Sequence, residues 1–238
     1  MVKLINALGA EIALPLTISF QKIPLEIFTS VYTFAGTNGG IKTGVATMPP
    51  RRFTLNGSIY MKNKKQLISY LDDLFEFLTK TPIDVYRDKS NERYLKAYTV
   101  GIPHEWLNRG REINKISIQF IALDPFWQGA KINETVIGTQ TIDVAGTAST
   151  SPIITTTGSV EGLTVSNLQT GQTIEISGTT GVIKVVNDEN DPQVIVGGES
   201  RLDLINDAWL LKPFKLVPGQ NEITTSTEIT LAYRPRWY

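Results

Sequence analysis

The stretch EINKISIQFIALDPFWQG, Glu112 to Gly129, reads as a strand that comes to a hard stop. Ile116, Ile118 and Phe120 alternate with Ser117 and Gln119, the period of two that marks a strand with one buried face. Asp124-Pro125 then removes a backbone donor, and Phe126-Trp127-Gln128-Gly129 closes the sheet. The composition differs on the two sides of this stop, which places a domain boundary just after it. The spacing predicts a first domain over 1–130 and a second over 131–238.

Upstream, short strands alternate with turn residues. Pro15 to Phe20 sets Leu16, Ile18 and Phe20 against Thr17 and Ser19, and Leu25 to Phe34 is rich in β-branched and aromatic residues. Gly36-Thr37-Asn38-Gly39-Gly40 supplies the freedom of a loop or hairpin tip, and strands over Ile41 to Met48 and Arg52 to Met61 flank Pro49-Pro50. One segment breaks the β pattern. From Asn63 to Lys80, Leu67, Ile68, Leu71, Leu74, Phe75 and Leu78 recur at helical spacing, with Asn63 as N-cap and Thr81-Pro82 as the stop. Burying six such side chains is worth on the order of 10 kcal/mol before conformational entropy is subtracted, so this helix needs a sheet to lie on. Strands resume at Ile83 to Arg87 and Arg93 to Pro103, with Asp88 to Asn91 as a turn.

Downstream of Lys131, Thr, Ser and Gly become dense and aromatic residues are scarce until Trp209. Pro152 to Thr157, Leu163 to Val165, Gln172 to Ser177 and Gly181 to Val186 read as strands. Turns are expected at Gln169-Thr170-Gly171, Gly178 to Gly181 and Pro218-Gly219, and further strands at Phe214 to Val217 and within Asn221 to Tyr233. Short strands at regular spacing predict a sandwich or jelly roll. The fold class is therefore mainly β: a first domain of short strands with one amphipathic helix, and a second domain that is a sandwich or jelly roll.

Composition narrows the function. Hydrophobic residues make up 41% and charged residues 19% of the chain, a globular balance. Lys plus Arg and Asp plus Glu are 23 each, which disfavours specific nucleic-acid binding or attraction to an anionic membrane. Cysteine is absent, excluding disulfides and thiol chemistry. No stretch is apolar enough to span a bilayer, and Met1 to Leu16 lacks the pattern of a secretory signal.

Reactive constellations are not found. His104 is the single histidine, without a matching nucleophile motif, and reads as structural or solvent-facing. Asp188-Glu189-Asn190-Asp191 fails as a calcium loop, since Pro192 and Gln193 stand where a ligand and glycine belong, and reads as a solvated turn. Asp72-Asp73 are adjacent on a helix and point apart, and Gly36 to Gly40 lacks the lysine of a phosphate loop. The expectation is a non-enzyme without cofactor or metal. An alternative reading is a carbohydrate-binding module, with Trp127, Trp209 and Tyr98 as a stacking platform.

Several motifs, in order, resemble the distal tail protein (Dit) family of long-tailed phages and prophage tail tips. They are Gly39-Gly40-Ile41, then Arg52-Phe53-Thr54-Leu55-Asn56-Gly57, the helix, and Asp124-Pro125-Phe126-Trp127. Pro152-Ile153-Ile154, Asn167-Leu168-Gln169-Thr170-Gly171, Leu216 to Ile223, and the finish Ile229 to Arg234 with its aromatic residues continue the series. The resemblance implies a β-sandwich-like first domain with one amphipathic helix, whose copies form a hexameric ring, and a galectin-like or jelly-roll β-sandwich second domain projecting outward. It implies self-association, a tail tube protein, a tail-tip hub protein and a receptor-binding protein as partners, and a place at the virion tail tip after synthesis in the bacterial cytoplasm. Subunit contacts are expected near Gly36 to Pro50 and the N-terminal strand. The candidate contact residues are Gly39, Gly40, Lys42, Arg51, Arg52, Trp237 and Tyr238. The two terminal aromatic residues are included because an undocked tail would leave large rings wet.

Overall fold

The computed structural model describes residues 2–21, 28–32, 41–87, 92–106, 112–188, 191–205, 209 and 213–238, with the backbone alone described at 28–32, 41–47, 104–106 and 112–115. The chain divides into two compact units, Met1–Trp127 and Gln128–Tyr238.

The first unit contains β1 (Lys3–Ile5), β2 (Glu11–Ala13), β3 (Ser19–Phe20), β4 (Phe28–Tyr32), β5 (Ile41–Thr47), β6 (Arg51–Tyr60), α1 (Lys64–Thr79), β7 (Ile83–Tyr86), β8 (Tyr94–Gly101), β9 (His104–Trp106) and β10 (Glu112–Ala122). The main sheet runs β2-β1-β7-β8-β10-β6-β3, while β4 and β5 pair as a separate two-stranded ribbon. Its longest pairing joins β10 to β6 in antiparallel register from Glu112↔Tyr60 to Ala122↔Arg51. The alternation in β10 does what its period requires: Ile116, Ile118 and Phe120 are all buried. Phe120 stacks on Phe53 across the register at 5.2 Å between centroids, and Phe20 bridges Phe53 and Trp127.

Helix α1 covers this sheet. Asn63 caps it, its side-chain oxygen accepting from the Gln66 amide at 2.9 Å. The buried stripe is Leu67, Leu71, Leu74, Phe77 and Leu78, which differs from the expected one at both edges. At about 100° per residue, Ile68 lies a quarter-turn to one side of Leu67 and Phe77 nearly as far to the other. Ile68 is 40% exposed while Phe77 is 8%, so the buried face of the helix is shifted toward Phe77.

The expected strand over Pro15 to Phe20 is shorter than its alternation suggests. Pro15 opens a turn in which the Ile18 amide donates to the Pro15 carbonyl at 2.9 Å, leaving Leu16 exposed and only Ser19–Phe20 paired with β6. That turn lies hard against Gly57. A β-carbon there would sit 2.6 Å from the Ile18 Cα and closer still to the Thr17 carbonyl oxygen, and the Thr17 hydroxyl donates to the Ser58 carbonyl.

The second unit follows short strand β11 (Trp127–Gln128) and comprises β12 (Ile132–Val136), β13 (Thr139–Val144), β14 (Ile153–Thr156), β15 (Val160–Asn167), β16 (Gln172–Gly181), β17 (Ile183–Val186), β18 (Gln193–Val196), β19 (Glu199–Ser200), β20 (Gly219–Thr225), β21 (Ile229–Tyr233) and β22 (Arg236–Trp237). A six-stranded sheet, β12-β21-β14-β17-β18-β19, and a four-stranded sheet, β13-β20-β15-β16, share one core of inward Ile, Val and Leu with Trp209, Phe214 and Tyr233. Two antiparallel sheets over one apolar layer make a sandwich.

Two local expectations change here. Gly178 to Gly181 is not a turn. β16 continues to Gly181, and the register slips between Glu161↔Thr180 and Leu163↔Ile176, so the glycines sit in a bulge with positive φ at Gly162 and Gly178. Phe214 to Val217 is no strand either, but a loop whose one β-bridge is Thr150↔Leu216.

Candidate functional site

Among the described residues no group of three or more His, Cys, Asp or Glu could hold a metal ion. The ion pairs Glu76–Lys80 and Arg201–Asp203 lie at the surface, where such pairs do little. A groove of about 570 Å³ between the end of α1 and β8 is lined by Phe75, Leu78, Thr79, Thr81, Thr99, Val100, Gly101 and Ile102. None of these side chains has a proton to exchange at ordinary pH, so the groove offers no general acid or base. His104 lies on β9, paired with β10 at Ile116.

The surfaces carry more information. Lys42 belongs to β5, opposite Val31; Gly39 and Gly40 fall outside the described residues. Arg51 and Arg52 begin β6, opposite Ala122 and Ile121. Arg52 is exposed and Arg51 half-buried; burial pulls the Arg51 guanidinium below its ordinary pKa, and the negative charge of Asp124 opposes that shift. Thus Arg51 already answers to a carboxylate of its own chain.

Trp237 and Tyr238 sit on the second unit. The Gly129 amide donates to the Pro235 carbonyl at 2.9 Å, and the Thr147 and Ala148 amides donate to the Arg236 carbonyl. The Trp237 ring lies 3.0 Å from where a β-carbon on Gly129 would stand, which explains the glycine. Tyr238 is 53% exposed, its amide donating to the Thr147 hydroxyl. The tail therefore lies along Gly129 and the 147–148 backbone, with Trp237 half-buried and Tyr238 exposed.

The aromatic residues expected as a sugar platform are placed otherwise. Trp209 is 2% exposed and donates its ring N–H to the Asn187 side-chain oxygen at 2.6 Å. Trp127 packs against the core of the first unit, and Tyr98 is exposed on β8.

Buried amides, which pattern reading passed over, explain several motifs at once. Asn221 is fully buried. Its oxygen accepts from the Val217 amide and from the Asn167 side chain, and its nitrogen donates to the Val217 and Gly219 carbonyls. Asn167, also fully buried, donates to the Lys215 carbonyl and accepts from the Gln169 amide. Gln172 donates to Pro213 and accepts from Lys215. Asn187 ties Trp209 to the Pro152 carbonyl. The runs 152–154, 167–171 and 216–223 are thus the anchor points of one irregular loop against the sandwich. Their signal in the sequence was an Asn continuing the inward series of a strand, Asn167 after Leu163 and Val165, and Asn221 before Ile223.

Residues 145–237 match a family described as siphovirus-type tail component, C-terminal domain, SPP1_Dit. No curated protein is matched by sequence. Among solved structures, the SPP1 phage Dit protein, titled a paradigm of hub adsorption apparatus in phages infecting Gram-positive hosts, superposes with a TM-score of 0.72 at 15% identity over 100% of both chains. A chain of the phage P2 baseplate in its activated conformation with Ca matches with a TM-score of 0.53 at 10% identity, covering 98% of this chain and 97% of that one. The corresponding structure with Sr gives 0.52 at 11%, with the same coverage. Residues 145–237 thus match the siphovirus-type tail component family, and the chain from end to end has the fold of the phage SPP1 Dit protein, in agreement with the family its motifs resemble.

Proposed function

We propose that this chain is a non-enzymatic structural subunit at the distal end of a phage or prophage-derived tail. Copies of it form a hexameric ring joining the tail tube to the tip hub, and receptor-binding proteins attach to the outer domain. The observation that carries this reading is the coincidence of two comparisons: a tail-component family over residues 145–237 and a whole-chain superposition on a distal tail protein. The chemistry of the surface supports it, since the groove beside α1 is lined by apolar residues and threonines without a charged side chain, suited to packing and not to turnover.

Domains over 1–130 and 131–238 would divide the labour, the first making the ring and the second facing outward. Within the first, the β4–β5 ribbon and the start of β6 would contribute to the contact, with Gly39, Gly40, Lys42, Arg51 and Arg52 as its candidate residues. Negative-stain electron microscopy of the purified chain, with light scattering in solution, tests the ring. Six-fold rings are expected; a strict monomer at high concentration refutes it.

A further inference from the structure

Strand β7 of the first unit stops short of its neighbour. It pairs with β8 only from Tyr86↔Tyr94 to Ile83↔Ala97, whereas β8 runs on to Gly101, still paired on its other side with β10 through Ile121↔Tyr98, Phe120↔Thr99 and Gln119↔Gly101. Ahead of Ile83 the chain comes from the end of α1 instead of continuing beside β8. The groove lined by Thr79, Thr81, Thr99, Val100, Gly101 and Ile102 occupies the place that a longer β7 would fill. Phe75 and Leu78 of α1 supply its apolar wall, and no lining side chain is charged. The Thr99 hydroxyl donates to the Leu78 carbonyl at 2.9 Å, which ties the β8 side of this slot to the helix. Val100 is 56% exposed. A strand edge that borders a groove instead of another strand takes an extended backbone, and an uncharged lining selects one that brings few charges with it.

The same unit holds strands that lack a neighbour. Among the described residues β4 and β5 pair only with each other, and a two-stranded ribbon by itself is marginal in water. Lys42 is the one charged residue in the two strands. The ribbon therefore has the open edges and the charge-poor composition that the slot requires.

Resting on the ring reading above, we infer that the β4–β5 ribbon of one copy docks in this slot of the next, with an outer edge of the ribbon along Tyr98–Gly101 of β8. Both surfaces belong to the first unit, where the ring contact is placed, and the slot is the counterpart that the ribbon meets. Ribbon and slot are different surfaces, so the contact is heterologous, and its repetition by rotation closes a ring.

The chain contains no cysteine, so introduced thiols report the contact without background. Thr43→Cys on β5 and Val100→Cys on β8 are made singly and together in the full chain, then treated with a short bismaleimide before denaturing electrophoresis. The double variant is expected to give a covalent ladder from dimer to hexamer. Equal amounts of the two single variants give a dimer and nothing larger, and each alone stays a monomer. Val100→Asp places a charge in the slot from an exposed position, so it melts like the parent while self-association weakens about 10-fold or more. Leu168→Asp, 59% exposed on the second unit, changes association less than about twofold. Thiols that join within a single chain overturn docking between copies. Rings in micrographs without a ladder, or Val100→Asp associating like the parent, overturn this contact and leave the ring reading intact. A parent chain that stays monomeric at high concentration overturns both.

Discussion

Asn221→Ala removes the centre of the amide network in the second unit. The side chain is fully buried and makes four hydrogen bonds, at 2.9 and 3.1 Å through its oxygen and 2.8 and 3.0 Å through its nitrogen. Each bond is worth about 1 kcal/mol net, and a donor left buried without a partner costs about 1–3 kcal/mol. The Val217 amide becomes such a donor, while the Val217 and Gly219 carbonyls are half-exposed and can turn to water. The expected loss is about 4 kcal/mol, which in a unit of this size lowers its melting temperature by roughly 15 °C. Scanning calorimetry of the full chain follows the transition, and hydrogen exchange at the Val217 amide reports the local event: protected in the parent, fast in the variant. Asn221→Asp keeps the acceptor but aims a second oxygen at two carbonyls. Its folded pKa is therefore raised, so its stability deficit grows as pH rises above about 4 and shrinks as the carboxyl protonates and donates. Asn56→Ala removes a surface amide bonded to Gln21 and serves as control, at about 0.5 kcal/mol or less. A loss under about 1 kcal/mol for Asn221→Ala, with Val217 still protected, refutes the assignment of this amide as the anchor of the 213–221 loop.

Gly57→Ala forces a β-carbon into the Thr17–Ile18 backbone; the transition of the first unit drops by about 1–3 kcal/mol while that of the second is unmoved. Leu74→Ala, at a fully buried position, costs about 2–5 kcal/mol in denaturant unfolding, whereas Ile68→Ala, at an exposed one, costs well under about 1 kcal/mol. The Tyr233 phenol is held protonated by burial and by its hydrogen bond to Glu134 at 2.8 Å. With its folded pKa raised, its contribution persists below about pH 10 and is lost only as pH climbs through the folded value. Ultraviolet titration of the parent minus Tyr233→Phe should show no phenolate signal near pH 10; a signal there refutes the burial argument.

Elements governed by short-range periodicity were legible from residues alone. The β10 alternation and the Asn63-capped helix follow from side-chain spacing and one capping oxygen, which neighbours in sequence settle among themselves. The sandwich of the second unit followed from turn residues at regular intervals, and the family resemblance from motifs whose physical reason, in the second unit the buried amides, is invisible in a string. Of the candidate contacts, Trp237 and Tyr238 were singled out because large rings seek cover. That the tail finds it on Gly129 of its own unit depended on the Pro235 and Arg236 backbone bonds.

Composition and local pattern by themselves determined the β class, the single helix and the missing cysteines. Tertiary structure alone decided which edge of the helix is buried, that Pro15 to Phe20 turns instead of extending, that Gly178 bulges within a strand, and that Asn167 and Asn221 meet. Such outcomes depend on partners far away in the chain, and the backbone a residue faces across a sheet is set by register, a property no window of neighbouring residues contains.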